Sequence, residues 1–137
     1  MLKTDFVTKK YISYVKTYSL KSEKISEKTS KYNSYIQKIS LYMEVTMKEK
    51  FAKAGKRIKF VREYRNISEE QLADKLGIEL DTLLQIEKDG NGIYGGLLLD
   101  IGKELEVDHN YIFEGLLYKI SDGSLREAAI EYEEKIK

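Results

Sequence analysis

Between Ser68 and Gly90 the sequence starts and stops a helix twice in quick succession, which restricts the folds open to this chain. Ser68 followed three residues on by Gln71 is a capping box: the serine oxygen accepts from an orphan amide while the glutamine reaches back. Leu72, Ala73 and Leu76 form the inward side, and Gly77 ends the helix where the backbone must turn left-handed. Ile78 leads into another short helix with Leu83 and Ile86 inward, followed by a loop of Asp89, Gly90, Asn91 and Gly92.

The flanking segments repeat the pattern. Before Ser68 a basic helix, AKAGKRIKFVREYRN, sets Ile58, Val61 and Tyr64 on one side. After the loop come a helix with Leu98, Ile101 and Leu105, then one capped by Asp108 with Ile112, Phe113 and Leu116 inward. Gly95 and Gly96 would each cost about 1 kcal/mol in a helix relative to alanine, so the fourth helix is expected to begin near Leu97 after a longer loop. Two short helices joined by a glycine-containing turn, inside a set of five, fit a helix-turn-helix.

The run GKRIKFVREYRNISEEQLADKLGIELDTLLQIEKDG resembles the Cro/C1 (XRE) family of phage repressors. Matching positions are Arg57 with Ile58, Val61 with Arg62, Ser68, Leu72 with Ala73, and Leu76 to Ile78. Leu83 and Ile86 with Glu87 also match, and beyond the loop Leu98, Leu99, Ile101, Leu105, Val107, Ile112 and Phe113. The likeness spans residues 51–117, about half the chain. It implies an all-α, five-helix domain, a dimer, and a third helix, residues 80–88, entering the major groove while the second lies on the phosphate backbone. On that helix Leu80, Asp81, Thr82, Leu84, Gln85 and Lys88 would meet DNA. Lys53, Lys56, Arg57, Lys59, Arg62, Arg65 and Glu69 are the candidates for phosphate contact. Glu69 stands where the family commonly has Gln. Arg57 and Arg62 also have structural partners to expect, and Arg62 and Arg65 have Glu63, Glu69 and Asp74 within sequence reach.

The chain departs from the family at the reading surface. Base readers offer bidentate donors or amides, whereas here Gln85 is the plain candidate and Thr82 an edge residue. Residues 79–91 hold four acids against one lysine. Duplex DNA carries one charge per ~1.7 Å of axis, so those acids repel it. Leu80 and Leu84 on such a face suit a protein partner. Two readings follow: a DNA-binding transcriptional repressor, or a degenerate relative acting through protein contacts as an antirepressor or antitoxin.

Residues 1–50 form a basic arm rich in Lys, Ser and Tyr. Val7, Tyr11, Tyr14 and Tyr18 recur at helical steps, with Phe6 and Val15 beside them, and Tyr32, Tyr35, Ile36, Ile39, Tyr42 and Met43 repeat the pattern. Two helices are expected, separated by a stretch where only Leu20 and Ile25 are apolar, with Ser22, Ser26, Ser30 and Ser34 every fourth residue. Met43 and Met47 stand just before the domain, yet the regular apolar period ahead of them argues for a genuine arm. The arm should dock on the domain or on a second subunit. Residues 51–120 are read as the domain, and 121–137 as an amphipathic helix with Leu125, Ala128, Ala129, Tyr132 and Ile136 on one side.

Charge is divided unevenly. Residues 1–65 carry 17 Lys and Arg against 6 acids, and residues 66–137 carry 7 against 17. Such a split suggests nucleic-acid contact through the basic part or pairing of the two parts. There is no cysteine, hence no disulfide or thiolate metal site. No phosphate loop, nucleophile elbow or zinc spacing is present, and His109 is the only histidine. No catalytic residue, metal or cofactor is expected. With no apolar run of spanning length and no secretory start, the chain reads as a cytoplasmic binding protein rather than an enzyme.

Overall fold

The computed structural model describes residues 9, 10, 12, 13 and 26–137. The first apolar set of the arm, Phe6, Val7, Tyr11, Tyr14, Val15 and Tyr18, lies outside them, as do Leu20, Ser22 and Ile25. The described chain is all helical, without strands. Six helices follow in order: α1 (Ser26–Tyr64), α2 (Glu69–Leu76), α3 (Leu80–Asp89), α4 (Gly95–Glu104), α5 (His109–Glu114) and α6 (Gly123–Ile136), with a 3₁₀ turn at Leu117–Lys119 before α6. The chain divides into two compact units, Met1–Lys48 and Glu49–Lys137. The carboxy-terminal helix belongs to the second unit.

The second arm helix and the first helix of the domain, expected as separate elements, are one helix of 39 residues. Neither proline nor glycine stands between Ser26 and Gly55, and the stretch carries many Lys and Glu, so nothing breaks the backbone ladder. The helix ends in a Schellman turn. Asn66 takes φ 55°, and the Ile67 amide donates to the Arg62 carbonyl at 3.1 Å.

Ser68 then caps α2 as the sequence implied. Its hydroxyl accepts from the Gln71 amide at 3.1 Å, and its own amide donates to the Gln71 side chain at 2.9 Å. Gly77, at φ 64°, closes α2, with the Ile78 amide donating to the Ala73 carbonyl. The fourth helix is a correction: it begins at Gly95, not near Leu97. First-turn amides lack intrahelical partners in any case, so two glycines cost least there. The Tyr94 carbonyl accepts from Leu98 at 2.9 Å and anchors the start.

The core of the second unit gathers one side of every helix. Phe51, Ile58 and Val61 of α1 are buried, as are Leu72 and Ala73 of α2, Leu83 and Ile86 of α3, Leu97 and Ile101 of α4, and Tyr111 and Ile112 of α5. Ile120, Leu125 and Ala129 extend it to α6. The last helix is held by more than packing. Tyr132 stacks on Phe60 with ring centroids 4.3 Å apart, and its hydroxyl donates to the Lys56 carbonyl at 3.0 Å.

Candidate nucleic-acid interface

The position of α3 is set by two contacts with the part of α1 in the same unit. Gly55 of α1 lies directly against the Ile86 carbonyl, and Gly90, which caps α3, lies against the Phe51 carbonyl. A Cβ at either glycine would overlap those oxygens, so the two backbones meet without side chains between them. A glycine inside an otherwise strong helix is the sequence signal for such an approach. Farther along, Arg62 clamps Glu87. Its Nε donates to Oε1 at 2.6 Å and a terminal nitrogen donates to Oε2 at 3.1 Å, with both side chains withdrawn from water. The hydrogen bond to Glu87 holds the Arg62 guanidinium charged, above its ordinary range. A further Arg62 nitrogen donates to the Ile67 carbonyl at 2.8 Å, and Glu69 stands 3.4 Å away. One arginine thereby ties the end of α1, the start of α2 and the last turns of α3 together.

With that side committed, α3 turns Asp81, Thr82, Leu84 and Lys88 outward. Leu84 is 39 % exposed and Leu80 is half-buried. Gln85 is half-buried, and its amide nitrogen donates to Asp89 at 2.8 Å, so the one plain base reader shares its donors with a neighbour. Glu87 is taken out of the acidic count by burial and by Arg62. Glu79, Asp81 and Asp89 remain exposed against Lys88.

The phosphate-contact candidates separate sharply. Lys56 and Lys59 are exposed and Lys53 is half-buried, all on α1. The arginines are withdrawn from that list. Arg57 is 6 % exposed. It makes two bonds to Glu133 of α6, at 2.6 and 3.1 Å, and a third to the Ile112 carbonyl. Arg62 is spent as described. Arg65 donates to the Leu105 and Glu106 carbonyls and to Asp122, all at 3.0–3.1 Å. Arg57 and Arg62 satisfy acceptors that would otherwise lie dry and unpaired, which is a stronger demand than a solvent-side phosphate. Arg65 is half-buried, with its donors shared among three acceptors at a wetter site. Glu69 is half-buried beside Arg62 and is likewise a structural neighbour.

Sequence reasoning missed Tyr111, which lies fully buried although no apolar period marked it. Its hydroxyl meets no hydrogen-bond partner, and burial, followed by the nearby Glu133 carboxylate, pushes its pKa up. Glu133 was missed as the mate of Arg57, because the two stand far apart in sequence. Among the described residues no cluster of His, Asp or Glu is arranged to hold a metal ion, and no helix is long and apolar enough to cross a membrane. Compared with family models, with curated proteins and with solved structures, the chain matches none.

Proposed function

We propose that the second unit is a helix-turn-helix domain of the phage-repressor kind and that the protein regulates transcription, as a repressor, by binding duplex DNA. The observation that carries this reading is the arrangement of α2 and α3. A capping box starts the first, the left-handed Gly77 closes it, and the second is pinned to α1 by Arg62–Glu87 with Asp81, Thr82, Leu84 and Lys88 facing out. Such a helix presents its outer side to the major groove. In this role Gln85 and Thr82 read base edges, Lys88 borders them, and Lys56 and Lys59 are the exposed cations on the part of α1 in the second unit that can meet phosphates. Two copies on one site would read two half-sites related by a twofold axis.

Enrichment of bound sequences from a randomised duplex pool tests the proposal. A repressor enriches one near-palindromic site, and Gln85→Ala weakens or broadens that selection. Recovery of no preferred sequence refutes it.

One observation favours a second reading, contact with another protein. Outside the buried Glu87, α3 and its cap set three acids and the half-exposed Leu84 against a single lysine. That surface suits a basic, apolar-anchored protein segment better than phosphate. On this reading the domain is a degenerate relative working as an antirepressor or antitoxin. Leu84→Ser would then abolish partner binding, and the protein would select no duplex sequence with or without the change.

A further inference from the structure

Among the described residues of the first unit, an apolar stripe of α1 stands exposed. Tyr32, Tyr35, Ile39 and Tyr42 are 65, 56, 50 and 73 % exposed. Their spacing is three, four, three, which keeps them on one seam when two helices wind around each other with a period of 3.5 residues. Ile36 and Met43 border the seam on one side, and Lys31 and Lys38 on the other.

We propose that a second copy of this chain covers the stripe, the two helices pairing in parallel with Tyr32, Tyr35, Ile39 and Tyr42 at the seam. Charge selects the direction. In a parallel pair each flanking lysine lies over the residue five further on in the second copy, so Lys31 crosses to Ile36 and Lys38 to Met43. The lysine stems then cover apolar surface while the ammonium groups stay in water. In an antiparallel pair the lysine flanks would face each other, like charge against like. The area is sufficient. At about 200 Å² for each tyrosine, the exposed fractions amount to roughly 400 Å² per copy. Ile39, Met43 and the lysine stems raise this to about 600 Å², or about 1,200 Å² for the pair, the lower edge of stable, specific interfaces. Tyrosine suits such a seam because its ring is buried while its hydroxyl reaches the wet rim. The inference uses only residues of the first unit and stands whether or not the second unit binds DNA.

Sedimentation of the full chain over a range of concentrations tests it. The expected result is a species of twice 16.0 kDa that dissociates on dilution and persists at high salt, since apolar burial drives it. Tyr35→Lys with Ile39→Lys should weaken the pairing at least about tenfold, whereas Gln37→Lys, off the seam, should leave it intact. Orientation is read covalently, because the chain has no cysteine of its own. Under oxidation Tyr42→Cys should form a disulfide-linked dimer and Gln37→Cys should not. A 16.0 kDa species at every concentration, equal pairing of the seam and off-seam variants, or failure of Tyr42→Cys to cross-link would overturn the proposal.

Discussion

Arg62 is the residue whose part the sequence left most open, because the same side chain suited a phosphate or an internal acid. Burial decides between them: a guanidinium this dry, bonded twice to Glu87, is a brace. Removing one partner strands the other. Arg62→Met should therefore lower the unfolding free energy by about 3–5 kcal/mol, as read by denaturant titration, while Arg62→Met with Glu87→Leu recovers most of the loss. Retention of full stability by the single variant would show that the clamp contributes nothing. Tyr111 gives the opposite sign. Its buried hydroxyl has no partner, so Tyr111→Phe should leave stability unchanged or raise it by up to about 1 kcal/mol. The raised pKa fixes the pH window as well. The neutral phenol is favoured in the folded chain, so its contribution is complete below the ordinary value of 10.0 and drains as pH rises beyond it. The phenylalanine variant should melt with less sensitivity to alkali. A structural partner for Arg62 was to be expected, but not that Glu87 supplies it, and the burial of Tyr111 was not legible. Pairing across the fold and the depth of one tyrosine are products of packing, which periodicity along a short helix does not encode.

Individual elements were read most securely where their ends are written in side-chain chemistry. Ser68 with Gln71, Gly77 and Asp108 all act as the sequence implied, because caps are local hydrogen bonds, and Asp122 caps α6 in the same way. The extents of α1 and α4 were misread for the converse reason. A helix without a breaker continues as far as its residues allow, and glycine is tolerated in a first turn. The two aspartate caps predict acid sensitivity. Asp108 accepts from the Asn110 amide and Asp122 from the Leu125 amide, with Arg65 adding to the second, and both carboxyls are held below their ordinary 3.8. Their contribution is therefore present above that ordinary value and lost as pH falls through the depressed ones. Thermal melts of Asp108→Asn with Asp122→Asn should show a flatter acid limb than the parent, and an unchanged limb would contradict this. At the junction of α1 and α3, Gly90→Ala meets the Phe51 carbonyl at a positive φ. It should cost more than about 1 kcal/mol in the same titration that reads Ser68→Ala near 1 kcal/mol.

For the whole molecule, the division of charge was plain in the sequence, but its distribution over surfaces was not. The three arginines among the candidate contacts on α1 close the domain onto α3, α5 and α6, leaving lysines as the outward cations. If the second unit binds DNA, its affinity must come from Lys56, Lys59 and the rest of the basic amino-terminal half, with α3 supplying discrimination. The most direct measurement is the salt dependence of binding to a duplex enriched from the random pool, comparing the parent with Lys56→Gln plus Lys59→Gln and with Gln85→Ala. The proposed function predicts that the double lysine variant lowers the slope of log affinity against log salt by about two. Gln85→Ala should keep the parental slope but lose preference for the enriched site. A parental slope in the lysine variant, with equal affinity for enriched and scrambled duplexes throughout, would contradict it.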